Sequence, residues 1–164
     1  MDDDTVDFAL AVWREDGSWV VSPLPARALS GLDEILRSLR QLPADDGALG
    51  LVAVADEFFL MIRVNGEHVR LLLSDLNAAY DWALADEVAE RLGIDVPDDE
   101  EELAEIEPAG DLTLLADLGM EAAELGLLCS DPELYPDEQV SSIAARLGFA
   151  EPLAHALPSG GTRA

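Results

Sequence analysis

The sequence predicts an α+β protein: a five-stranded, mainly antiparallel sheet with packed helices in the order ββαβββα, followed by a small all-helical C-terminal part. Three observations carry this expectation. Apolar residues alternate with period two over 5–13, and further short apolar runs bounded by turn signals follow before residue 75. Helical spacing interrupts those runs near 30–42 and again at 76–92. Beyond residue 111 the apolar residues return only at helical spacing. The chain accordingly divides into a sheet domain over 1–94, an acidic linker over 95–110, a small helical part over 111–157 and a flexible tail over 158–164.

Residues 5–13, TVDFALAVW, set Val6, Phe8, Leu10 and Val12 against Asp7, Ala9, Ala11 and Trp13, the pattern of a half-buried strand. A glycine turn at REDGS leads to a second strand at WVVS, so a hairpin is expected, and the prolines of PLP at 23–25 end the pairing. Ser30 is expected to open a helix, with Asp33 where a capping box places an acid. Leu32, Ile35, Leu36, Leu39 and Leu42 form its apolar face, and Pro43 with the ADDG that follows stops it. ALGLVAVA at 48–55 is nearly all apolar and reads as a central strand. EFFLMIRV at 57–64 and EHVRLLLS at 67–74 flank Asn65–Gly66, a strong hairpin signal. From Leu76 to Leu92 one helical face collects Tyr80, Ala83, Leu84, Val88 and Leu92, and Gly93 closes it.

Two short helices broken near Gly119 then use Leu112, Leu115 and Leu118, and after them Ala122, Leu125 and Leu128. Asp131–Pro132 reads as a cap followed by proline at the first helical position. A further helix from about Asp137 to Leu147 is expected to bury Val140, Ile143, Ala144 and Leu147. PSGGTRA at the end has the composition of a disordered terminus.

A hydrophobic content of 49% supports a packed core despite a formal net charge of −26. Residues 1–94 hold 18 acids and 7 arginines, a net of −11, and residues 95–164 hold 17 acids and 2 arginines, a net of −15. The 54 positions between Arg91 and Arg146 contain no basic side chain. Such a surface repels phosphate backbones and anionic lipid, so neither direct nucleic-acid binding nor membrane association is expected. The acidic N-terminus and the lack of an apolar run near the ~20 residues of a membrane span point to a cytoplasmic protein.

The chemistry-bearing residues are few. Cys129 is the single cysteine, in apolar surroundings that predict a buried, unreactive thiol. His68, expected half-exposed on a strand, and His155, expected at the surface, are the two histidines, and their spacing with Cys129 matches no zinc motif. Glycine-rich phosphate loops and nucleophile elbows are absent from the sequence. The acids fall in polar runs, where solvation holds a carboxylate near its ordinary pKa and away from general acid–base work. No catalytic, metal or cofactor residue is expected, and no enzyme activity.

One stretch stands apart. DVPDDEEELAEIEP at 95–108 holds eight carboxylates and no basic residue. Consecutive acids without an internal glycine do not make a calcium loop. Self-repelling acids suit an extended linker. The same stretch also suits a docking surface, in which Asp98, Asp99, Glu100, Glu101 and Glu102 meet a basic partner while Leu103 and Ile106 offer a short apolar stripe.

LLSDLNAAYDWALADEVAERLG (72–93), ADLGMEAAELGLLCSDPELYPDEQVSSIAARLGF (116–149) and DFALAVWREDGSWVVSPL (7–24) are similar to the tRNA adenosine deaminase-associated proteins of actinobacterial type. The resemblance covers roughly 5–150 and brings no catalytic residues with it. A zinc deaminase needs an H-x-E and a P-C-x-x-C segment. Here His68 is followed by Val69 and Arg70, His155 by Ala156 and Leu157, and Cys129 has no second cysteine. The resemblance implies a non-catalytic acidic partner or regulator of a tRNA adenosine deaminase. Such a partner would be steered to the enzyme's basic surface, where it would shield that surface, compete with tRNA or prevent unspecific RNA binding. The alternative is a stand-alone, chaperone-like protein-binding module with an unrelated client.

Overall fold

The computed structural model describes residues 6–42, 47–103 and 105–157. The helix stop expected at Pro43 and the tail at 158–164 lie outside the described residues. Among the described residues six strands, one more than the sequence predicts, build one sheet: β1 (Val6–Glu15), β2 (Ser18–Pro23), β3 (Ala48–Val54), β4 (Phe58–Asn65), β5 (His68–Leu73) and β6 (Ala109–Gly110). Their spatial order is β2-β1-β3-β4-β5-β6, with every neighbouring pair antiparallel. β3 is central, as its unbroken apolar run requires, and all seven of its residues are buried.

The sixth strand falls at the end of the stretch read as an acidic linker. Two residues carry no periodicity, so nothing local announces them. They pair through the backbone, Leu72 with Gly110 and Leu73 with Ala109, and the Asp111 N–H donates to Leu71 O at 2.8 Å. Gly110 sits at φ +116°, and a Cβ there would stand 2.2 Å from Leu71 O. Only glycine allows this approach.

Tight loops set the registers. Asp16 and Gly17 both take positive φ between the paired Glu15 and Ser18, the backbone of a type I′ hairpin. The second hairpin turns one residue later than its sequence signal. Asn65 is still paired, with His68, so the loop is Gly66–Glu67. Gly66 alone takes positive φ there, as the first position of a type II′ turn demands.

Helices cover both faces. On the first face, α1 (Leu32–Arg40) buries Leu32, Ile35, Leu36 and Leu39 and α2 (Ala83–Leu92) buries Leu84, Ala85, Val88 and Ala89. These pack on Ala11, Trp13, Val52, Leu60, Ile62 and Leu73 of the sheet. On the opposite face lie α3 (Ala122–Cys129), α4 (Pro136–Leu147) and α5 (Ala150–Ala156). There Leu125, Val140, Ile143, Phe149 and Leu153 pack on Phe8, Leu10, Leu51, Phe59 and Met61. β1 is therefore buried on both sides: Ala9, Ala11 and Trp13 are buried along with Phe8, Leu10 and Val12. The half-buried strand expected from its alternation is corrected by the helices that arrive from residue 122 onward.

Several helix ends differ from expectation. Ser30 does not open α1. It ends a 3-10 turn (Ala26–Ser30) and donates its hydroxyl to Arg27 O. The α1 terminus is satisfied from a distance, by Glu87 of α2, whose Oε2 accepts the Leu32 N–H at 3.0 Å. This supplies acceptor and negative charge at a helix N-terminus together. The helix expected over 76–92 divides into a 3-10 turn (Leu76–Tyr80), capped by Asp75, and α2; Ala83 is exposed. Gly93 ends α2 in the left-handed region as predicted. The first of the two short C-terminal helices is only a 3-10 turn (Ala116–Leu118), closed by Gly119. Proline at the first position of α4 is Pro136, not Pro132, and Glu138 Oε1 accepts the Tyr135 N–H at 3.0 Å. Asp131 instead folds back on the Glu133 N–H in a local turn. The buried Gln139 side chain ties α4 to the end of α3, donating to Leu128 O at 2.9 Å and Cys129 O at 3.2 Å.

Candidate functional site

The acidic stretch begins where α2 ends and runs back beside the 3-10 turn at 76–80. Both of its ends are fastened. Near the start, the Tyr80 hydroxyl donates to Pro97 O. Near the end, the Leu76 N–H donates to Glu107 O at 2.7 Å, the Glu107 N–H donates to Asp75 Oδ1 at 3.1 Å, and the Asn77 amide donates to Glu105 O at 3.3 Å. Ile94, Val96 and Leu103 lay their side chains against the core of the first face. Between these anchors Glu100–Glu102 form one 3-10 turn, opened by Asp99, whose Oδ1 accepts the Glu101 N–H at 2.9 Å.

The sequence candidates are thus sorted by geometry. Asp98, Asp99, Glu101 and Glu102 are exposed on one short turn. Leu103 is half-buried and turned to the core, and Ile106 is half-buried. The apolar stripe imagined from their spacing is therefore largely used inside the molecule, and what the turn presents outward is charge.

A second charged group had no sequence prediction. Arg63 on β4 and Arg70 on β5 are direct cross-strand partners, an unfavourable like-charge pair unless neutralised. Each has its own carboxylate from the segment after β6. Arg63, 6% exposed, forms a two-pronged pair with Asp117 and donates to Leu114 O at 3.0 Å. Arg70 donates to Asp111 Oδ2 at 2.8 Å and to Thr113 O at 2.8 Å. The Arg63 hydrogen bonds hold the Asp117 carboxyl below its ordinary range, outweighing its partial burial. Burial pushes Asp111 upward, but hydrogen bonds from Thr113 and Arg70 more than reverse this and leave it lowered. The one signal for this cluster was Arg63 itself, a charge inside the otherwise apolar run FFLMIRV.

A cavity of about 290 Å³ opens beside the cluster, lined by Arg63, Asn65, His68, Val69, Arg70 and Asp117. Its chemistry is that of a clamp. Both arginines are engaged by carboxylates, and those carboxylates are shifted toward staying ionised, the wrong direction for a proton donor near neutral pH. His68 and His155 are exposed and far apart in the fold's elements, one on β5 and one on α5. Cys129 is 1% exposed, and burial pushes its thiol up to about 12, which keeps it protonated and unreactive. Among the described residues, no three His, Cys, Asp or Glu side chains are grouped to hold a metal ion. No helix among them is long and apolar enough to cross a membrane.

Comparison with known proteins extends these observations. The Rv3753c-like tRNA adenosine deaminase-associated protein family matches residues 7–150. Protein Rv3753c of Mycobacterium tuberculosis is 42% identical over 153 residues, which span 92% of this chain and 87% of that protein. No solved structure matches at a significant level. The family match takes in the sheet from the second residue of β1 onward and α1 to α4, the span that holds both arginines of the clamp and the acidic turn. The chain belongs to the Rv3753c-like tRNA adenosine deaminase-associated protein family.

Proposed function

We propose that this chain is a non-catalytic, cytoplasmic partner or regulator of a tRNA adenosine deaminase, docking through its acids on the enzyme's basic, tRNA-holding surface. The observation that carries the reading is the charge. A family associated by name with a tRNA-modifying enzyme here has a member at −26, with no basic residue over 54 consecutive positions. An enzyme that holds tRNA exposes lysines and arginines to phosphate. An acidic protein is drawn to that same surface, and the attraction acts chiefly on the association rate. Tethering the 98–102 turn at both ends supports the reading further, because a pre-ordered acidic turn loses little conformational freedom on binding. The chain itself does not bind tRNA under this reading.

The test is association of the full-length protein with the purified deaminase of the same organism, followed by biolayer interferometry. Raising salt from about 50 to about 500 mM shortens the screening length from roughly 14 to roughly 4 Å. The association rate should fall by about tenfold or more, with a smaller change in dissociation. Failure to bind the deaminase at low salt, together with direct binding of tRNA, overturns the proposal.

A further inference from the structure

α3 is an apolar helix with a misplaced leucine. Leu125 and Cys129 face the core, whereas Leu127 is 76% exposed. A lone exposed leucine is ordinary, but this one stands on the wall of a groove. Between α3 and α4 lies an open depression of about 610 Å³, floored by Met120 and Leu128 and bounded on the α4 side by Ser142, Ala145 and Arg146. Arg146 is paired across the groove with Glu124 at 2.9 Å. Asp131 lines the same depression. Glu121 and Glu138 lie one helical turn further along the faces that carry Glu124 and Ser142, and both are exposed.

From this combination we infer that the α3–α4 groove is a docking site for a basic amphipathic segment of a protein partner. One large apolar side chain of that segment packs on Leu127 and Leu128, and its lysines or arginines meet Glu121, Glu124, Asp131 and Glu138. Charge selects this occupant. The four carboxylates exceed the single Arg146, itself paired with Glu124, by three charges, so the rim as a whole favours a cationic ligand. A second copy of this chain brings −26 of its own and meets the rim with like charge. Nucleic acid is repelled for the same reason. The inference deepens the proposed association, on whose basic partner it rests, and moves the apolar anchor from the 95–108 stretch to the opposite side of the sheet. Leu103 is committed to the core, whereas Leu127 is available.

The experiment uses the full chain and a designed, fluorescein-labelled helical peptide with leucines on one face and lysines on the other, at low salt. The same peptide with glutamates in place of lysines is the control. Methyl resonances of Leu127, Leu128 and Ala145 should shift on titration with the basic peptide, and the acidic control should not bind. Leu127→Ser is surface-exposed and should keep the wild-type circular dichroism spectrum while losing roughly tenfold in affinity, the worth of one large apolar contact. No binding of the basic peptide, shifts confined to 95–108, or an unchanged affinity for Leu127→Ser overturns the inference. So does concentration-dependent self-association that Leu127→Ser abolishes, which would make a second copy the occupant. These readouts involve no deaminase. A groove that binds the peptide in a protein that ignores the enzyme would refute the proposed partner alone, and an enzyme that binds Leu127→Ser undiminished would refute the groove alone.

Discussion

The Arg63–Asp117 pair offers the sharpest test of how the segment after β6 is held. The two side chains are unequally buried, 7% exposed for Arg63 and 60% for Asp117. Removing one partner of a fully buried pair costs about 3–5 kcal/mol, and an exposed pair is worth about 0–1 kcal/mol. Asp117→Asn takes the carboxylate from a buried guanidinium but lets water approach from the open side, so a loss of about 1.5–2.5 kcal/mol is expected. For a chain of this size that corresponds to a fall in Tm of about 3–10 °C. Arg63→Met removes the pair and the hydrogen bond to Leu114 O while gaining apolar burial, and should cost about 2 kcal/mol. Urea denaturation of both variants and the double variant closes the cycle. A coupling of about 1 kcal/mol is expected; a value under about 0.5 kcal/mol would show that the clamp is decorative. The pH dependence has a definite sign. Asp117 titrates below its ordinary value, so its contribution is complete above the unfolded pKa and disappears as pH falls through the lower folded pKa. The gap between wild type and Asp117→Asn should therefore be constant from pH 7 to about 4.5 and close below about 4. A gap that persists unchanged in acid would refute the assignment.

Neutralising Asp98, Asp99, Glu100, Glu101 and Glu102 to their amides should slow association with the deaminase severalfold at low salt and leave Tm within about 2 °C, since the Asp99 cap keeps its acceptor as Asn; an unchanged rate would reduce the turn to a connector. Gly110→Ala should cost about 2 kcal/mol or more, because its Cβ meets the Leu71 carbonyl, and amide exchange should rise first at Asp111; a neutral substitution would contradict the tight approach. Cys129 should resist thiol reagents at pH 8 until the protein is unfolded in urea, and rapid labelling of the native state would show that α3 opens.

Strands, hairpins and most helix cores were legible because their signals are local. Alternation over 6–13, the apolar run at 48–55 and the leucine spacing of 32–39 depend on neighbours within a few residues, and each gave an element within a residue or two of its place. Gly93 and Gly119 likewise marked real helix ends, since a left-handed cap favours glycine whatever surrounds it. The candidate site was legible in composition alone. Its acids were visible, but not that Leu103 would turn inward or that Leu127 would be left outside.

Those outcomes were decided by distant partners. Glu87, rather than Ser30, completes the start of α1 from 55 residues away. Asp117 neutralises Arg63 from 54 residues away. Ala109 and Gly110 become a strand only because β5 has an open edge to receive them. Above all, the helices after residue 122 cross to the second face of the sheet, burying both sides of β1. Sequence periodicity reports which residues of one segment share a face. Which face another segment will cover is set by the area both can bury and the polar groups both can satisfy, and those quantities exist only once the segments meet.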